Sequence, residues 1–457
     1  MTDQNASSDR RQLLKALGTL SVASMAGCVS QSGSDGDGSG ESGDGSTGSS
    51  GDGSTEEGGE ATPVPMADSF SFWELSKTWG PHIERYESET DATVEHTNMG
   101  PDELLDNLQT RLLSGTGAPD AAMVEYTSLK QVAKTGGLRD VSDWIDEADI
   151  RDDFTSGIWE VVSDGDAVYE VPYDIGPATL FYRKDIWDEH GLSDDIETYD
   201  EFIEEGKKLP DDVSLLSLPD SGLSVFWRMM YRQLGGVEFD EEGRLAFDND
   251  KAVQAMAQLQ ELADAGITDD TASWSQQWFA GFNEGTVTAY LSGAWFSGTL
   301  MSSMDEAAGD WRGMKIPALE SGGTRASNIG GSGVCFPDQN DEATARRAFD
   351  FVVNTTTNVE EMANLFAEEG NISAYMPAWD DEAFENPREF FGGQALGTLW
   401  TDIADDIPPY RYTLDSPKIM NLLNPLLQDV VYGDLDPESA LEEWVTQSAN
   451  ETGREVA

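Results

Sequence analysis

Eighty-seven carboxylates, three histidines and two cysteines set the chemistry open to this chain. The histidines, His82, His96 and His190, are scattered. Cys28 and Cys335 lie far apart, and no Cys/His cluster has zinc spacing. No Gly-x-Ser-x-Gly elbow, Walker phosphate loop or His-Glu-x-x-His motif is present. Gly330-Gly331-Ser332-Gly333 is glycine-rich but lacks dinucleotide-fingerprint spacing. With so many acids, no single carboxylate pair is informative. General-base catalysis by histidine is unsupported. The expectation is a non-enzyme with no cofactor and no metal. What the chain does have is aromatic surface, 13 Trp, 12 Tyr and 18 Phe, beside abundant hydrogen-bond acceptors. An anionic ligand would want an arginine cluster, and none is visible in the sequence.

The formal charge of −60 repels phosphate backbones, so nucleic acid is excluded as a partner. Apolar residues make up 38% of the 457, enough for a sizeable core and too many for a disordered acidic chain. A folded body this acidic repels itself in dilute buffer. At molar salt the Debye length falls to about 3 Å, so the composition reads as that of a protein working in high salt.

The first 65 residues read as an address and a tether. Arg10-Arg11 before the weakly apolar run Ala16–Ala26 resembles a twin-arginine export signal, with Asp9 a small departure. The run is too short to span a bilayer. Met25-Ala26-Gly27-Cys28 resembles a lipobox, which implies cleavage after residue 27 and lipid on the Cys28 sulfur. Residues 31–60 contain only Gln, Ser, Gly, Asp, Glu and Thr, a linker expected to reach about 30 Å. The expected location is the extracellular face of the membrane, lipid-anchored.

Order begins near Met66. Strands are expected at 70–73, 92–96, 121–124 and 178–182, with a hairpin at Asp164-Gly165. Pro81–Ser88 reads as a helix opening. Pro101 starts a helix carrying Leu104, Leu105, Leu108, Leu112 and Leu113 on one stripe. Thr198, Asp250 and Asp341 are expected caps, and Leu422–Val431 and Ala440–Val445 closing helices. Alternating strand and helix predicts an α/β fold with a largely parallel sheet.

The ordered landmarks of this body resemble the extracellular solute-binding proteins of ABC importers, the maltose-type sugar binders in particular. They are Phe72-Trp73, Leu113-Ser114-Gly115-x-Gly117-Ala118-Pro119-Asp120, Gly137-Leu138-Arg139-Asp140-Val141, Val171–Pro177 with Phe181–Asp185, Gly235-Gly236, and Phe282-Asn283-Glu284-Gly285 leading to Gly293-Ala294-Trp295. Thr286–Tyr290 departs from the pattern within its strand. With the acidity, the resemblance is to a halophilic archaeal type.

The resemblance implies a two-lobe periplasmic-binding-protein-like fold of type II, with hinge crossings and a ligand cleft between the lobes. Lobe I would comprise 66–175 plus 330–375, and lobe II 176–329 plus 376–457. The implied ligand contacts are Glu74, Glu125, Tyr126, Tyr173, Asp174, Gly176, Trp227, Trp274, Trp295 and Gly331. Carboxylates would take sugar hydroxyls and tryptophans their apolar faces; Gly330 and Gly331 would chiefly permit close backbone approach. The implied partners are a small-molecule ligand, carbohydrate by expectation, and an ABC permease with its ATPase subunits, the chain itself being monomeric. A surface-anchored hydrolase, or a binder of polyamine or peptide, is the alternative. Cys335 is expected to be a buried, inert thiol. Asn354, Asn371 and Asn450 open glycosylation triplets that matter only if exposed.

Overall fold

A computed structural model describes residues 66–155 and 157–457. The export signal, Cys28 and the linker lie outside the described residues. In chain order the strands are β1 (Ser69–Glu74), β2 (Thr93–Asn98), β3 (Ala121–Glu125), β4 (Glu170–Pro172), β5 (Asp174–Ile175), β6 (Ala178–Arg183), β7 (Ser214–Ser217), β8 (Thr268–Asp269), β9 (Val287–Gly293), β10 (Trp311–Lys315), β11 (Ser332–Cys335) and β12 (Ile372–Ser373).

They build two five-stranded sheets in separate lobes, ordered β2-β1-β3-β11-β4 and β8-β7-β9-β6-β10. β1 runs parallel to β2 and β3, whereas β11 runs antiparallel to β3 and β4. In the second sheet β9 is parallel to β7 and antiparallel to β6. The sheets are therefore mixed, not largely parallel. The cause is topological: β11 enters from the other lobe at the end where β3 leaves, so it must run the opposite way.

Local signals act as the sequence predicts at most elements. Thr198 forms a capping box with Glu201, and the Asp341 side chain accepts from Thr344 N–H. The hairpin Ser163–Asp164 with Ala167–Val168 turns at Gly165. Two details differ. Asn249 caps the helix Asp250–Asp264, so its buried stripe is Ala252, Ala255, Met256, Leu259 and Leu262. In the helix Pro101–Ser114, Leu104, Leu108 and Leu112 are buried but Leu113 faces solvent, one residue past the stripe.

Phe70, Phe72, Trp79, Tyr86 and Phe351 interlock beneath the first sheet, with ring centroids 4.8–6.4 Å apart. In the second lobe Trp444 stacks on Phe247 and meets Trp227 edge-on. Cys335 is the expected buried thiol, its pKa pushed well up by burial.

Two chain segments cross between the lobes side by side. Gly176 N–H donates to Asn328 Oδ1 (2.9 Å), Ile329 N–H to the Gly176 carbonyl (2.7 Å), and Tyr173 N–H to the Ser332 carbonyl (3.0 Å). A Cβ on Gly176 would sit 1.9 Å from the Ile329 carbonyl oxygen, so the strands touch backbone to backbone. Buried Arg232 braces them: it donates to the Asn328 carbonyl (3.0 Å) and lies 3.5 Å from the centroid of the Tyr410 ring.

Candidate functional site

β1 and β3 run toward the crossings and end there, as strands feeding a binding crevice do in open α/β sheets. Their terminal loops open onto a cavity of about 800 Å³. From the first lobe come Leu75, Ser76 and Thr78 after β1, Asp102 at a helix start, and Glu125 closing β3. Glu369 and Asn371 flank them, and Asp174, Gly331 and Ser332 form the crossing wall. The second lobe contributes Trp274, Trp295, Thr299 and Ser302.

Trp295 follows β9. Its indole N–H donates to the Ile329 carbonyl (2.9 Å), fixing the ring against Gly330 and leaving it half-buried. Trp274 lies nearly parallel to it, 20° apart with centroids at 6.3 Å. Trp274 is 52% exposed and adopts φ +64°, a left-handed backbone that a bulky residue adopts at a cost. The pair forms an aromatic shelf that lines the same cavity as the carboxylates of the first lobe.

Asp174 ties the crossings together. Its Oδ1 accepts from Ser332 N–H (2.8 Å) and Ser332 Oγ–H (2.7 Å). Burial is the largest influence and raises its carboxyl from the ordinary 3.8 to about 6, against the opposing Ser332 bonds. A raised acid pKa means the fold holds a proton that the unfolded chain releases. Stability from this group therefore grows as pH falls from above 6 towards 3.8, by on the order of 3 kcal/mol. Asp174→Asn keeps the acceptor for Ser332 and removes the titration. Melts across that window should show a slope difference between parent and variant; parallel curves would sink the assignment.

Tyr126 and Tyr173 sit one layer behind the wall. Tyr126 O–H donates to the Asp174 carbonyl (2.9 Å), and its ring would meet a Cβ on Gly331 at 2.8 Å. Gly331 needs both that space and its φ of +101°. The Tyr173 hydroxyl bonds the Thr78 hydroxyl (3.0 Å), which sets Thr78 at the cavity edge. Burial raises both phenols well above their ordinary value. Glu125 is exposed to the cavity, yet enough protein surrounds it to push its carboxyl up, with Asp102 repulsion adding to this.

Of the residues picked from the sequence, Glu125, Asp174, Trp274, Trp295 and Gly331 meet in the cavity. Tyr126, Tyr173 and Gly176 support it from behind. Glu74 and Trp227 do not face it. Glu74 is buried, accepts from Trp79 N–H (3.0 Å) and pairs with His96 (3.1 Å), anchoring the loop that carries Ser76 and Thr78. Trp227 is a core residue stacked on Tyr231, donating to the Ala252 carbonyl (3.1 Å). Ser76, Thr78, Asp102, Thr299, Ser302, Glu369 and Asn371 were not foreseen as site residues. Asn371 was visible only as a glycosylation triplet, and it is buried.

A second hollow of about 450 Å³ lies against Ile175 and Asn328 of the crossings, lined by Trp159, Trp379 and Tyr410. Among the described residues no group of three or more His, Cys, Asp or Glu could hold a metal. No described helix is long and apolar enough to cross a membrane.

Two lobes, paired crossings and a cleft-lining aromatic shelf define a solute-binding protein. Residues 73–371 match the family model described as bacterial extracellular solute-binding protein, and the chain belongs to that family. It is 24% identical over 404 residues to an arabinooligosaccharide-binding protein of Halalkalibacterium halodurans, covering 82% of this chain and 87% of the relative. It is 29% identical over 349 residues to a lactose-binding protein of Rhizobium radiobacter, covering 72% and 79%. Among solved structures, the ABC-transporter-associated binding protein of B. animalis subsp. lactis Bl-04, in complex with β-1,6-galactobiose, superposes with a TM-score of 0.73 at 25% identity. That match covers 85% of this chain and 99% of the other.

Proposed function

We propose that the protein captures a sugar or oligosaccharide outside the cell and delivers it to an ABC permease and its ATPase subunits. The observation that carries this is that the Trp274–Trp295 pair and Glu125 line one cavity of about 800 Å³, a volume within the range of small-molecule sites. Apolar ring faces meet sugar C–H faces while carboxylates and Asn371 take hydroxyls. The sugar-binding relatives support the same ligand class.

The lobes, taken as 66–175 with 330–375 and 176–329 with 376–457, close on the ligand about the crossings. The protein works as a monomer of halophilic archaeal type, exported by the twin-arginine route and held at the extracellular face of the cell membrane by lipid on Cys28. The reading is of a binder and not of a hydrolase, as its relatives are binding proteins.

The test is a melt in molar KCl against saccharides, polyols, polyamines and short peptides. A ligand of the native state at a hundredfold excess over Kd adds about 2.7 kcal/mol. A shift with a saccharide that is recovered unaltered is the expected result. A shift only with polyamines or peptides moves the ligand class, and conversion of the sugar turns the protein into a hydrolase.

A further inference from the structure

In the second lobe lies a further hollow, of about 290 Å³. Its walls are the end of the helix Leu223–Gln233, the start of the helix Asp250–Asp264, and the loop that runs from β10 through Leu319, Glu320 and Thr324 to the crossing at Asn328. Among the described residues none lines both this hollow and the cleft, and no aromatic residue lines it.

Gln233 lines the hollow and is 5% exposed. Its Nε2 donates to the Pro317 carbonyl (2.8 Å) and the Thr324 carbonyl (2.9 Å), which pins both ends of the loop. Two carbonyls on one side settle which end of the amide is nitrogen. Oε1 is thereby committed to the other side, and no donor among the described residues meets it. Buried amide oxygens are as a rule hydrogen-bonded, and one left unmet costs stability. The preceding residue, Arg232, holds the crossing through the Asn328 carbonyl.

We propose that this hollow is a second solute site, for a small acyclic polyol that donates a hydroxyl to Gln233 Oε1. The inference does not depend on which ligand the cleft takes. The rim selects the class. Lys251 and Glu320 both line the hollow, and both are exposed. Lys251 Nζ donates to the Gly235 carbonyl at 3.3 Å, and an ammonium group has three protons to give. An anion would meet Glu320, a cation would meet Lys251, and an apolar molecule would leave Oε1 bare. A hydroxyl both donates and accepts, so a run of adjacent hydroxyls serves Oε1, Lys251 and Glu320 together. Leu234 and Leu319 offer contact to the carbon chain. With no aromatic wall there is no platform for a sugar ring, unlike the cleft. The space is about ten times the roughly 30 Å³ that a water takes in the liquid, far more than one bridging water needs.

The test is a titration of the full chain, labelled with ¹³C at the leucine methyls, with erythritol in molar KCl. Leu234 and Leu319 report the hollow, and Leu75 reports the cleft. The expected result is a shift of the Leu234 and Leu319 signals that saturates. Gln233→Met and Lys251→Met should each raise the half-saturating concentration about tenfold or more, as loss of one such hydrogen bond would. Lys251→Met leaves the Gln233 clamp on the loop in place, so it decides the matter even where Gln233→Met fails to fold. Shifts that climb without saturating, shifts confined to Leu75, or a titration unaltered in Lys251→Met would each overturn the site. Saturation with sulfate or trimethylglycine but not with erythritol overturns the ligand class and with it the proposal.

Discussion

Trp274→Gly is expected to weaken saccharide binding by about thirtyfold or more without lowering the melting temperature. The ring is half exposed and belongs to the shelf, so its loss removes a contact of the kind that costs about 2 kcal/mol or more at a binding hot spot. Its backbone, however, sits at φ +64°. Glycine takes that conformation freely, which relieves roughly 1–2 kcal/mol of strain. The gain offsets the packing lost against Trp278 and Phe296, whose ring centroids lie 5.5 and 6.3 Å away. Affinity and stability thus part company in one variant. Titration and melting of parent and variant measure both. Unchanged affinity would show that the ring does not touch ligand; a collapse in stability would show that it is a core residue like Trp227.

Gly176→Ala should produce the opposite pattern, a loss of stability that carries binding down with it. The backbone at Gly176 is not left-handed, so the residue is glycine for space alone. Its Cβ would meet a backbone carbonyl at 1.9 Å, and no side chain is there to turn aside. The crossings must separate. That breaks the Gly176–Asn328 and Ile329–Gly176 hydrogen bonds in a buried place. A cost of more than about 3 kcal/mol is expected, above the usual range for overpacking because backbone must move. A melt within a degree of the parent would refute the close contact between crossings.

Much of this arrangement was legible because local pattern and tertiary role coincide. Phe72-Trp73 and the run to Trp295 sit at the carboxyl ends of strands, where a crevice must lie, whereas the turn before β3 sits at the opposite end of its strand. Glu74 shows where strand-end reasoning needs its finer rule. Alternation puts Glu74 on the same face as Phe70 and Phe72, and that face is the core, so the acid turns inward to hold a loop. Trp227 was likewise readable as core. Leu223, Phe226, Trp227, Met230 and Tyr231 fall at helical spacing and are all buried. Glu369, Asn371, Thr299 and Ser302 carry no such signal. They reach the cavity because the helix Phe296–Ser303 packs against the end of the helix Val359–Glu369, where a Cβ on Gly298 would meet the Glu369 carbonyl oxygen at 2.4 Å. That contact joins residues some seventy positions apart and leaves no local periodicity to read.

The placement of the tryptophans also gives the protein a built-in optical readout. Trp79, Trp187, Trp227, Trp278, Trp311, Trp400 and Trp444 are fully buried, so their fluorescence forms a steady background that ligand does not reach. Trp274 stands in water at the cavity and Trp295 is only half covered. A ligand settling on these two rings dries them, and indole emission moves to the blue as its surroundings lose polarity. Occupancy can then be followed on unlabelled protein at any salt concentration, and the Trp274→Gly variant, which keeps Trp295, separates the contributions of the two rings.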